Sequence, residues 1–112
     1  MKHLLVALTL ALASCTTTPD TPAQAVYAIH GTYATALTLA VKYKQLPPCP
    51  TTLVCSDAAV VKRLQSADDT AYGALRAAQD AVRKGGSDTT PVDKARTAVD
   101  IFSSLANSLQ VK

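Results

Sequence analysis

The chain has 112 residues, enough for one domain around one hydrophobic core but not for two. Its formal charge of +3 includes Lys2, and the remaining charges are scattered, which argues against nucleic acid, because phosphate binding needs a clustered basic face. Only 4% of residues are aromatic, tryptophan is absent and alanine is abundant, so the core must be lean and close-packed, a composition that suits helices better than sheets.

At the amino end Lys2 supplies a positive charge, Leu4 to Ala13 is apolar apart from Thr9, and the small residues Ala13 and Ser14 stand before Cys15. This order reads as a secretory signal over residues 1–14, and the apolar run is too short to remain as a membrane span. An ordinary cleaved signal ending near a cysteine is the plainer alternative. Leu12-Ala13-Ser14-Cys15 resembles the lipobox of bacterial lipoproteins, a resemblance confined to the first fifteen residues. It implies that Cys15 becomes the first mature residue and carries a thioether-linked diacylglycerol and, in many such bacteria, an amide-linked third chain. Two acyl chains already anchor a protein stably. Thr16 stands where an aspartate would favour inner-membrane retention, so the resemblance implies an outer-membrane anchor with the domain facing the periplasm. No cofactor other than this covalent lipid is expected.

With Cys15 assigned to lipid, Cys49 and Cys55 remain as an even pair in an exported chain, where disulfides persist. They enclose Pro50-Thr51-Thr52-Leu53-Val54, and the predicted bridge fixes the angle of a connection. Zinc is the competing reading, but one cysteine pair with no second pair or nearby histidine offers too few ligands, so no metal site is expected.

Residues 15–20 form a polar tether without periodicity, and the predicted domain occupies residues 21–112. Thr21, Pro22 and Gln24 make a helix-start signal with the proline where its missing N–H is harmless. Val26, Ile29, Tyr33, Leu37, Ala40 and Val41 then recur at helical spacing, which predicts a first helix over 22–46 with Lys42 and Lys44 at its C-terminal dipole. Pro22 to Val41 carries no formal charge, so a membrane span is the competing reading, but Gln24, His30 and three threonines favour an amphipathic helix.

Ser56 as cap and Asp57 in the first turn predict a second helix over 57–84 with the apolar series Val60, Leu64, Ala67, Ala71, Ala74, Ala78 and Val82. Its charged residues form a solvated face that includes a favourable Asp80–Lys84 spacing. Gly85 and Gly86 break the helix, and Thr90, Pro91 and Asp93 start a third over 91–110. Val92, Ala95, Val99, Phe102, Leu105, Ala106 and Leu109 line one of its faces.

Short connections force antiparallel neighbours, so the predicted fold is an all-α, up-down-up three-helix bundle with a disulfide-stapled loop between the first two helices. Counting back from the two turns places His30 level with Gly73 and Phe102 level with Tyr72. The expected middle layer is therefore His30, Tyr33, Tyr72, Gly73, Ile101 and Phe102, with Gly31 and Gly73 leaving room for the rings. His30 with Asp68, Asp69 and the tyrosines is the one constellation resembling a general-base arrangement, but a partly buried histidine hydrogen-bonded to a neighbour or facing water is the plainer reading and no nucleophile motif is present, so no catalytic residue is expected.

Three function classes follow. The first is a non-enzymatic, membrane-anchored lipoprotein that binds a protein or envelope component through an exposed helical face, with self-association as a further possibility. The second is a prophage-type envelope lipoprotein, either an outer-membrane spanin subunit in lysis or a superinfection-exclusion protein. Three well-capped helices fit the spanin version poorly, because such subunits are proline-rich and extended. The third, a small hydrolase or lipid carrier, needs a concave site that a lean bundle seldom provides.

Overall fold

The computed structural model describes residues 21–50 and 53–109. The predicted signal, Cys15 and the tether lie outside the described residues, as do Thr51, Thr52 and 110–112. Three helices, α1 (Pro22–Lys44), α2 (Ala58–Arg83) and α3 (Thr90–Ser108), pack pairwise against one another as an up-down-up bundle. The disulfide Cys49–Cys55 lies in the connection between α1 and α2.

Each helix starts where a side chain or proline relieves the unpaired N–H groups of its first turn. The Thr21 hydroxyl accepts the Gln24 N–H at 3.2 Å, with Pro22 directly after it. At α2 the cap is Asp57, not the expected Ser56: its carboxylate accepts the N–H groups of Ala59 at 2.8 Å and Val60 at 3.3 Å. A carboxylate is the stronger acceptor for these donors. Ser56 instead belongs to the loop, where its hydroxyl donates to the Leu46 carbonyl at 3.0 Å. At α3 the cap position is held by Thr89, whose side chain makes no capping bond. Thr90 is the first helical residue, and its N–H donates at 2.9 Å to Asp88, whose carboxyl is held below the usual range by hydrogen bonds from Thr90.

The C-terminal ends fall slightly short of the expected ones. α1 stops at Lys44 because Pro47 and Pro48 lie just beyond and cannot continue its ladder. α2 stops at Arg83, and Gly85 follows with φ +70°, the left-handed conformation glycine adopts without penalty. The loop after α1 is tied at its mouth. The Cys49 N–H donates to the Ser56 carbonyl at 3.1 Å and the Ser56 N–H to the Pro47 carbonyl at 2.9 Å, alongside the disulfide. The Tyr43 hydroxyl accepts the Asp57 N–H at 2.9 Å, joining the end of α1 to the start of α2.

The core is built mainly of small side chains, with Phe102, Leu75 and Val99 the largest that are fully enclosed. Alanines 25, 36, 40, 71, 78, 95 and 106 are buried, which lets the helices approach closely. Leu75 falls outside the expected stripe, whereas its neighbour Ala74 is only partly buried. α2 packs against both other helices, so its buried arc is wider than a single-partner stripe. Val41, expected at the edge of the α1 stripe, is 44% exposed.

Candidate functional site

Tyr33 is the centre of the middle layer. Its ring lies 5.8 Å from Phe102 of α3 and 6.3 Å from Tyr72 of α2, both tilted, the geometry in which aromatic quadrupoles attract. Phe102 is fully buried, while Tyr72 is half exposed and carries the Arg76 guanidinium 5.7 Å above its ring. The layer thus runs from a closed apolar side on α3 to an open cationic side on α2.

The Tyr33 hydroxyl donates to an Asp68 carboxylate oxygen at 2.6 Å, which satisfies a polar atom that the buried ring carries into the bundle. Burial, then the hydrogen bond to Asp68 and the negative charge of that carboxylate, push the Tyr33 phenol well above its usual range. The phenol therefore keeps its proton at neutral pH and serves as a donor, not as a base or nucleophile.

The other expected members are placed differently. His30 is exposed on α1, its ring 6.4 Å from that of Tyr33, and no hydrogen bond joins it to Asp68 or Asp69 among the described residues. Ile101 is 61% exposed and lines a shallow groove between α2 and α3 with Ala67, Ala98 and Leu105. Gly31 and Gly73 are also exposed, and a Cβ added at either would meet nothing within 4 Å. The expectation that these glycines make room for the rings is corrected: Tyr33 packs against the tilted rings of Tyr72 and Phe102, and neither glycine borders that packing. The helical spacing placed the rings together but did not resolve which side of the layer faced water.

Two surfaces surround this layer. Between α1 and α2 an open groove of about 200 Å³ is lined by Leu37, Val41, Val61 and Leu64, with Lys44 and Asp68 at its polar edges. The outer face of α1 is exposed and uncharged from Pro22 to Val41. Thr32, Thr35 and Thr38 turn their hydroxyls back to the carbonyls of Ala28, Gly31 and Ala34 at 3.0–3.4 Å. Their donors are engaged locally and methyl groups are left facing outward. Tyr27 stands on this face, 84% exposed.

Among the described residues no group of three or more His, Cys, Asp or Glu side chains could hold a metal ion, and no helix is long and apolar enough to cross a membrane. Tyr43, which links the ends of α1 and α2, was not singled out from the sequence; its place in the last turn before a proline-rich loop is the signal that marks it. No protein-family model, curated protein or solved structure matches the chain.

Proposed function

We propose that this protein is a non-enzymatic lipoprotein, anchored through lipid on Cys15 to the outer membrane, whose bundle binds a protein or envelope component through the outer face of α1. The observation that carries the binding reading is the uncharged, exposed face around Tyr27, which contrasts with the charged outer faces of α2 and α3. Aromatic side chains on such a face supply large contact area at low entropic cost. The engaged phenol of Tyr33 supports a structural role for the middle layer over a catalytic one. The signal-like residues before Cys15 support the anchor, which would place the start of α1 nearest the lipid.

Both parts are tested in intact envelopes of the native host. Photocrosslinkers at Tyr27 and Thr35 should capture one specific partner, while the same group at Lys62 and Lys94 should not. Capture confined to other copies of the chain would replace partner binding with self-association. In parallel, Cys15→Ser should abolish lipid labelling and release the protein from membranes; unchanged membrane retention would refute the anchor without touching the α1 surface.

A further inference from the structure

The groove between α1 and α2 lies where the bundle is least closely packed, since these two helices share the smallest of the three contacts. Its lining is mainly apolar: Leu37 and Val61 are half-buried, Leu64 is closed off, and Val41 remains 44% exposed. Its two charged groups stand at opposite ends. Lys44 is the last residue of α1, beside the start of α2, whereas Asp68 lies about 15 Å along α2 from Ala58 at 1.5 Å per residue. Among the described residues neither is in an ion pair. The Tyr33 phenol that donates to Asp68 is neutral and cancels none of its charge.

The other charges nearby do not answer these two. Lys42, Lys62 and Asp69 are exposed, stand about 100° around their helices from Val41, Val61 and Asp68, and do not line the groove. Arg63 lines the groove on the α3 side with Ile101. Asp57 is occupied at the start of α2, and Arg76 lies beyond Asp68, over the Tyr72 ring. The groove is therefore an apolar trough with a cation at one end and an anion at the other.

We infer that this groove pairs with the same groove of a second copy of the chain, about a two-fold axis that crosses it near Val41. A surface that pairs with itself must be self-complementary, and the order of the charges supplies that property. A two-fold across the groove reverses its direction, so Lys44 of each copy meets Asp68 of the other and Val41 meets its own counterpart. A two-fold along the groove would set each charge against the other copy's apolar lining, which is unfavourable. The overlap runs only from the end of α1 to the level of Asp68, so the contact falls below the roughly 800 Å² per partner of a standard interface and the dimer is of the weak class. The inference requires neither the lipid anchor nor the α1 face invoked above. Tyr27 lies about 21 Å along α1 from Val41, toward the other end of the bundle, and stays outside the pairing.

The test uses the full-length protein in envelopes of the native host. With Val41→Cys, a short bismaleimide should give a covalent dimer whose link joins position 41 of both copies. Tyr27→Cys should give none, because its two copies would stand about 40 Å apart. Far-UV circular dichroism should confirm unchanged helicity for each variant. In sedimentation equilibrium of the detergent-solubilised protein, Lys44→Gln and Asp68→Asn should each weaken the dimer about tenfold, because symmetry removes two ion pairs at once. Asparagine keeps an acceptor for the Tyr33 hydroxyl, so the second variant tests the charge and not the fold. The double variant should be no weaker than either single one, and high salt should weaken the wild type but not the double variant. A folded protein that gives no link at position 41, or links equally at 27, would overturn the inference. Links from position 41 to another protein alone would overturn it in favour of a foreign chain in the groove. Additive losses in the double variant would rule out the crossing two-fold. Partner capture at Tyr27 and membrane retention are read separately, so their failure is distinguishable from failure of the groove pairing.

Discussion

Tyr33 shows how one side chain can hold three helices in register. Its ring contacts Tyr72 and Phe102, and its hydroxyl spans from α1 to Asp68 of α2. Replacing it with phenylalanine keeps the ring contacts but removes the donor from a half-buried carboxylate. Tyr33→Phe should therefore lower stability by about 1–2 kcal/mol in urea denaturation at neutral pH. The raised phenol pKa adds a pH signature. Above about pH 10 the unfolded chain releases this proton while the folded chain retains it, so the contribution present below that pH is lost as pH rises. The stability difference between the wild type and Tyr33→Phe should accordingly shrink from pH 9 to pH 11. A constant difference over that range would mean that the hydrogen bond does not distinguish the two protonation states.

At the scale of the element, three glycines occupy positions with opposite demands. Gly31 and Gly73 sit within α1 and α2 where a Cβ would meet open space, and both cost their helices backbone entropy. Gly31→Ala and Gly73→Ala should each stabilise the fold by about 0.5–1 kcal/mol. Gly85 ends α2 at φ +70°, where an alanine is strained whatever the space around it. Gly85→Ala should destabilise by about 1 kcal/mol. Chemical denaturation of the three variants checks the pattern, and destabilisation by Gly73→Ala would restore a packing role for that glycine. The helix starts carry a related lesson. Ser56 is the expected cap of α2, yet Asp57 makes the bonds because it presents a charged acceptor at the required spacing, and at α3 Asp88, one residue before the cap position, takes the Thr90 N–H in the same way.

For the whole molecule, the disulfide and the core act on different parts of the fold. Cys49–Cys55 closes a short loop, worth roughly 2 kcal/mol from restriction of the unfolded chain. The buried alanines, Leu75, Val99 and Phe102 lie on the helices and do not depend on it. Reduction should lower the melting temperature by about 10 °C while the native far-UV spectrum persists at room temperature. Loss of helicity on reduction would show that the loop sets the pairing of α1 and α2.

By itself the sequence determined the three helices, their antiparallel order and the pairing of Cys49 with Cys55, because periodicity, proline and glycine placement and short connections are local signals. It also brought Tyr33, Tyr72 and Phe102 to one level, since residue counts from the two turns set the register. Only the tertiary structure decided that Leu75 is enclosed, that Ile101, His30, Gly31 and Gly73 face outward, and that the Tyr33 phenol meets Asp68. The physical reason is rotation about the helix axis. Each residue advances a helix by about 100°, so a stripe drawn from one face cannot show how wide an arc two neighbours will cover. Likewise, the bond from the Asp57 N–H to the Tyr43 hydroxyl joins segments that no local pattern brings together.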